Sequence, residues 1–188
     1  MENLRRSSTV VFGTLLAAGC LSSVRAAEEP VDRGLVAAVV IESWPAVSAA
    51  AARAVIARYG VPDEVAPDRL AWIENRPWRR TVVRRMAPLD ADAEDRGVIE
   101  QAVDYRLTPR QASALKAFDP RLVYDRGARE LGSRSEREAV NFLRLNLAND
   151  IVSGRMTPDQ ARALYAQVLR LEGAGKSSSY LQVLYFSR

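Results

Sequence analysis

The chain has 188 residues, no histidine and a single cysteine, Cys20. Without histidine, the Ser-His-Asp and Cys-His nucleophile systems are excluded in their common forms. His-ligated zinc, iron and copper sites are excluded with them. One thiol forms no intramolecular disulfide and no thiolate cluster, so an exported domain of this sequence must be stabilised by its core. Lysine is nearly missing too: of 27 basic residues, only Lys116 and Lys176 are lysine. The planar guanidinium recognises carboxylates and phosphates better than an ammonium does, although a GC-rich genome gives the same bias without selection for binding. Long apolar runs are also lacking. Thr9–Gly19 spans about 11 residues, short of the roughly 20 needed to cross a bilayer, and Leu35–Ile41 stops at Glu42. Catalysis is thereby confined to carboxylates, serine with lysine, tyrosine, or a hard cation held by oxygens. The sequence implies no catalytic residue, no cofactor and no metal site.

What is present begins at the N-terminus. A basic start with Arg5 and Arg6, the apolar run and small residues before Cys20 follow the order of a secretory signal. Leu16-Ala17-Ala18-Gly19 resembles the lipobox of bacterial lipoproteins, in which the cysteine is acylated and becomes the mature N-terminus. Ala17 stands where that motif usually has leucine. A competing site, Val24-Arg25-Ala26, has the small-x-small pattern of ordinary signal peptidase and gives a soluble exported protein. Residues 1–20 are read as a signal with a lipobox-like end, 21–42 as a tether, and 43–188 as one domain.

The domain reads as α+β: an antiparallel sheet of about five strands with helices packed on one face. Residues 46–59 have helical spacing, with Ser43 as the expected cap and Gly60 as the stop. Leu70–Ile73 and Thr81–Val83 predict a hairpin about Glu74-Asn75-Arg76-Pro77. Val98–Leu107 alternates as a half-buried strand. Thr108-Pro109-Arg110-Gln111, Ser135-Glu136-Arg137-Glu138 and Thr157-Pro158-Asp159-Gln160 read as capping boxes opening three helices. Leu122–Tyr124 and Tyr180–Phe186 read as further strands.

Several motifs fail on inspection. Gly175-Lys176-Ser177 lacks the earlier glycine of a phosphate loop, since Arg170 stands there, and the strand and helix fall in the wrong order. Asp90–Asp95 starts like a calcium loop but has Asp95 where glycine is needed and Gln101 where glutamate is needed. Glu100 and Asp104 lie on one strand face, about 13 Å apart at about 3.3 Å per residue, beyond the roughly 5–10 Å of a glycosidase pair.

Two constellations survive. Arg76, Trp78, Arg79, Arg80 and Arg84, with Arg85, crowd one hairpin. Alternation places Arg80 and Arg84 on one face and Arg79 and Arg85 on the other. Such a run is either a charged edge strand that resists aggregation or a binding surface for anions. Asn146, Asn149 and Asp150, with Asn141, form a polar patch on an otherwise apolar helix. It either caps neighbouring chain ends or forms a small polar site with Glu130 or Tyr105.

Trp44-Pro45, Tyr59-Gly60-Val61-Pro62-Asp63-Glu64, Leu70-Ala71-Trp72, Pro77-Trp78-Arg79-Arg80-Thr81, Glu100-Gln101, Asp104-Tyr105 and Asn141-Phe142-Leu143 with Leu145–Ala148 together resemble a family of uncharacterised exported bacterial proteins. That resemblance implies no activity. Members carry histidines in the loop matching residues 86–97 and at the place of Asn149, so a histidine-dependent role is absent here. Residues 44–85 are also similar in layout to small outer-membrane assembly lipoproteins of helix–helix–three-strand fold.

The expectation is a non-catalytic envelope lipoprotein, anchored to a membrane through Cys20. Its contact surface is the Arg76–Arg85 hairpin, and its partner an envelope protein, an anionic polymer or lipid headgroups, not nucleic acid. The alternatives are a periplasmic enzyme using carboxylates and a small-ligand-binding protein.

Overall fold

The alternating apolar runs on either side of the Glu74–Arg79 turn fold as the predicted hairpin, with Leu70 opposite Val83 and Trp72 opposite Thr81. In the computed structural model, which describes residues 32–86 and 97–186, this hairpin lies inside a larger sheet. Strands β1 (Glu64–Ala66), β2 (Arg69–Ile73), β3 (Arg80–Arg84), β4 (Ile99–Asp104), β5 (Leu122–Asp125) and β6 (Glu130–Ser135) pair antiparallel in the order β1-β2-β3-β4-β6-β5. Five helices accompany them: α1 (Arg33–Glu42), α2 (Ala46–Tyr59), α3 (Pro109–Phe118), α4 (Glu138–Val152) and α5 (Pro158–Gly173). The class is α+β. Cys20, both cleavage sites and the acidic stretch Asp90–Asp95 lie outside the described residues.

Strand register decides which face the helices cover. Leu70, Trp72, Val83 and Ile99 share a face and join Ala37, Ile41, Trp44 and Val55 of the first two helices in one core cluster. Val103, Leu122 and Leu131, on the same face, join Leu115, Phe142, Leu143 and Val168 in a second. α4 is buried over nearly its whole circumference, with the sheet on one side and α3, α5 and the C-terminal segment on the others. The opposite sheet face, with Ala71, Val82, Ala102 and Glu100, carries no helix among the described residues.

Several sequence expectations are corrected. Residues 33–42 are not tether: they form α1, capped by the Asp32 carboxylate and packed through Ala37 and Ile41. Ser43 ends α1 by donating to the Val40 carbonyl, and Pro45 takes the cap position of α2. Gly60 does stop α2, at a φ of 80° that disfavours other residues. The boxes at Thr108/Gln111 and Thr157/Gln160 form in full. The one at Ser135 does not, because Ser135 is held in the ladder opposite Ile99 and its hydroxyl donates to the Arg137 carbonyl.

The sheet gains β1 and β6 and lacks the expected C-terminal strand. Residues 179–181 instead make one 3-10 turn. The Asn146 amide donates to the carbonyls of Tyr180 and Val183, at 3.2 and 2.7 Å, and its oxygen accepts the Tyr185 N–H at 2.9 Å. That side chain supplies the backbone partners a neighbouring strand otherwise provides.

Candidate functional site

The uncovered sheet face is built by β2, β3, β4 and β6, whose alternation sends Arg69, Arg80, Arg84, Glu100, Glu130 and Arg134 to the same side. Arg69 and Arg84 are direct cross-strand partners, a like-charge pairing that disfavours the ladder by itself. β3 lies between β2 and β4, so the explanation of its arginines as a solubilising edge strand falls.

At the centre lies Glu100. Its side chain is 6% exposed, against 32% for Arg80, 39% for Arg84 and 45% for Arg134. Arg134 Nε donates to it at 2.7 Å, Arg80 Nη2 lies at 3.0 Å and Arg84 Nη2 at 3.6 Å. Burial pushes the Glu100 carboxyl up, but the hydrogen bond and charge of Arg134, then Arg80, outweigh it and hold the group below the usual carboxylate range. One buried carboxylate thus gathers three partly exposed guanidiniums. A guanidinium has five donors, so each retains capacity for an external anion. Toward the hairpin turn, Glu130 lies 3.6 Å from Arg80 and 4.0 Å from Arg79.

The remaining hairpin residues lie elsewhere. Arg79 precedes the first strand residue, and its guanidinium reaches Glu74, with Asp104 at 3.8 Å and Glu130 at 4.0 Å. It therefore joins the rim of the open face, where strict alternation had placed it on the other side. Arg76 has no ion-pair partner among the described residues. Arg76, Pro77, Arg79, Glu74, Val103, Asp104 and Phe186 border a cleft of ≈ 660 Å³ above Trp78. Trp78 is itself only 1% exposed, so its indole is structural and does not present a docking surface.

The reason lies on the helix-covered face. Trp78 Nε1 donates to Glu138 Oε1 at 2.5 Å and to the Tyr59 hydroxyl at 3.0 Å. Tyr59 OH and Gln101 Nε2 donate to the same carboxylate oxygen at 2.5 and 2.7 Å, while Arg58 lies 2.6 Å from Oε2. Burial, then the hydrogen bond to Glu138, raises the Tyr59 hydroxyl far above its ordinary value. Gln101 in turn accepts from Asn141 at 3.0 Å. Three side-chain atoms in this polar layer, Asn75 Oδ1, Ser133 Oγ and Asn141 Oδ1, are buried without a partner. Sequence reasoning missed Glu138 as a centre because its partners come from α2, the hairpin turn and β4. The only local signal was a carboxylate opening a helix.

The polar patch does not form one site. Asn146 holds the C-terminal segment, Asn149 accepts from Tyr105 OH at 2.8 Å, and Asp150 accepts from Arg155 Nη2 at 2.5 Å and Tyr180 OH at 2.8 Å. Burial, then the Asp150 bond, pushes the Tyr180 hydroxyl up to about 12. Glu130 is not a member, since it lies on the open sheet face.

Among the described residues no group of three or more acidic, histidine or cysteine side chains could hold a metal ion. No helix there is long and apolar enough to cross a membrane. Comparison with family models, curated proteins and solved structures finds no match to this chain.

Proposed function

We propose that the protein is a lipid-tethered, non-catalytic binding module of the bacterial cell envelope, exported and acylated at Cys20, that docks through the open face of its sheet onto an anionic partner. The observation that carries this reading is the cluster of Arg80, Arg84 and Arg134 fixed by one buried carboxylate on an uncovered interior stretch of sheet, with Arg69 directly opposite Arg84. Anions bound there relieve the repulsion between paired arginines and meet guanidiniums already held in place. The lipobox-like Leu16–Cys20 and the resemblance to exported bacterial proteins support the envelope location. Small-ligand binding is the second reading, favoured by the cleft beside Arg76.

The test is neutralisation of the array. Arg80→Gln with Arg84→Gln removes two partly exposed cations and leaves the Arg134–Glu100 bond in place. The variant should melt within a few degrees of wild type, lose retention on heparin at low salt, and fail to pull down envelope partners after crosslinking. Retention and pull-down equal to wild type would sink the proposal.

A further inference from the structure

Helix α1 is apolar on both sides. Ala37 and Ile41 face the core, yet Leu35 and Val39, one turn apart on the outer side, are each 68% exposed, with Val36 at 36%; Val61, against Gly34, is 54% exposed. A groove of ≈ 350 Å³ between α1 and α2, lined by Gly34, Ala38, Ile41, Ile56 and Ala57 and by the charged Glu42 and Arg53, continues the surface. Large apolar side chains grouped in this way mark an interaction surface.

We infer that the outer face of α1 rests on the membrane interface and turns the arginine face of the sheet away from that membrane. This rests on the lipid-tether reading and sharpens it. Only residues 21–31 separate Cys20 from the α1 cap Asp32, so an acylated Cys20 holds α1 within about 40 Å of the bilayer, where its apolar outer face can reach the interface. A second copy fits less well: three side chains on a helix about 15 Å long, with Val61, fall short of the roughly 1,000 Å² a stable protein interface buries. Charges at the patch balance, Arg33 and Arg53 against Asp32 and Glu42, so the contact is apolar and independent of anionic lipid.

The consequence is directional. α1 packs on the helix-covered face of the sheet, because Ala37 and Ile41 share a core cluster with Leu70, Trp72 and Val83. Its outer side and the arginine array therefore point in opposite directions. The anion that Arg69, Arg80, Arg84 and Arg134 engage belongs to an anionic polymer or protein across from the anchoring bilayer, and not to that bilayer's own headgroups.

The lone cysteine makes the test clean. In the full chain, Val39→Cys carries an environment-sensitive fluorophore, with Val123→Cys on the open sheet face as the comparison site. Each is prepared on a Cys20→Ser background and on the acylated wild-type background. The probe is a vesicle of phosphatidylethanolamine and phosphatidylcholine, with and without brominated acyl chains. The label at residue 39 should shift to the blue and be quenched by bromolipid, and the label at 123 should not. Leu35→Gln should weaken vesicle partition of the unacylated chain about tenfold while leaving its melting unchanged, since a mostly exposed leucine contributes little to the core. Equal response of both labels, no response of the label at 39 on either background, or a blue shift without vesicles that grows with protein concentration each overturns the inference; the last identifies a second copy as the occupant. The mass of the wild-type chain recovered from cells reports acylation separately. An unmodified Cys20 defeats the tether and leaves the vesicle result for α1 standing by itself.

Discussion

Replacing Glu138 by alanine removes the oxygen on which the Tyr59 hydroxyl, the Trp78 indole and the Gln101 amide converge. Trp78 keeps a bond to the Tyr59 oxygen at 3.0 Å, and Gln101 keeps a long contact to Thr81 at 3.4 Å. Two donors, on Tyr59 and Gln101, thereby lose their principal acceptor inside the protein. At about 1–3 kcal/mol for each of the two buried donors left without an acceptor, and about 0.5 kcal/mol for a carboxylate lost from the first turn of α4, the expected cost is about 2.5–6.5 kcal/mol. The ion pair with Arg58 adds little, because that guanidinium is 52% exposed. Glutamine at the same position keeps an acceptor oxygen and most of the volume, so Glu138→Gln should cost only about 1 kcal/mol. For a domain of this size the alanine variant should melt about 10 °C lower, a large share of the about 5–15 kcal/mol of a typical native state. Denaturant titration followed by tryptophan emission reads both variants, since Trp78 sits on the network. Alanine and glutamine variants of equal stability would refute the account, because the acceptor would then carry no weight.

Asn146→Ala should release the C-terminal segment without unfolding the sheet: amide exchange at Tyr185 should accelerate at least tenfold, and global stability should fall by about 2 kcal/mol. Glu100 gives a pH dependence. Its folded-state carboxyl is held below its unfolded value, so the stabilisation is complete above the ordinary carboxylate range and is lost as pH falls through the folded-state value. Glu172, lowered by its hydrogen bond to Arg137 against the effect of burial, adds to the same slope. Glu100→Gln should therefore cost about 1–2 kcal/mol at neutral pH and converge with wild type in acid. A difference that stays constant from pH 7 to pH 3 would show that the arginine cluster does not depend on the charge of Glu100.

The sequence was most legible where structure is decided by neighbours in the chain. Thr108 with Gln111 and Thr157 with Gln160 close capping boxes within four residues, so their geometry was readable before any tertiary contact was known. The β2–β3 hairpin was legible for the same reason. α1 was not, because a continuous apolar run shows no face: Leu35–Ile41 is compatible with strand, helix or linker until α2 and β1 are in place. β6 was hidden by its composition. Ser133 and Ser135 are poor strand formers, yet they face the polar layer of Gln101 and Asn141 that lies between β4 and α4.

That polar layer also explains why Glu138 was overlooked and the arginines were found. A hydrogen-bonded centre drawn from residues 58, 59, 78, 101 and 138 leaves no spacing in the sequence, since its side chains come from α2, the hairpin turn, β4 and α4. Arg80 and Arg84 belong to one strand, where period-two alternation predicts their shared face directly; Arg69 and Arg134 join them from β2 and β6 and were not found, because only strand pairing brings them there. Their identity as a surface array, and not an edge device, required one further fact: β4 pairs with the other side of β3. Alternation fixes direction, but only the strand order determines whether a charged strand guards an edge or occupies the middle of a sheet.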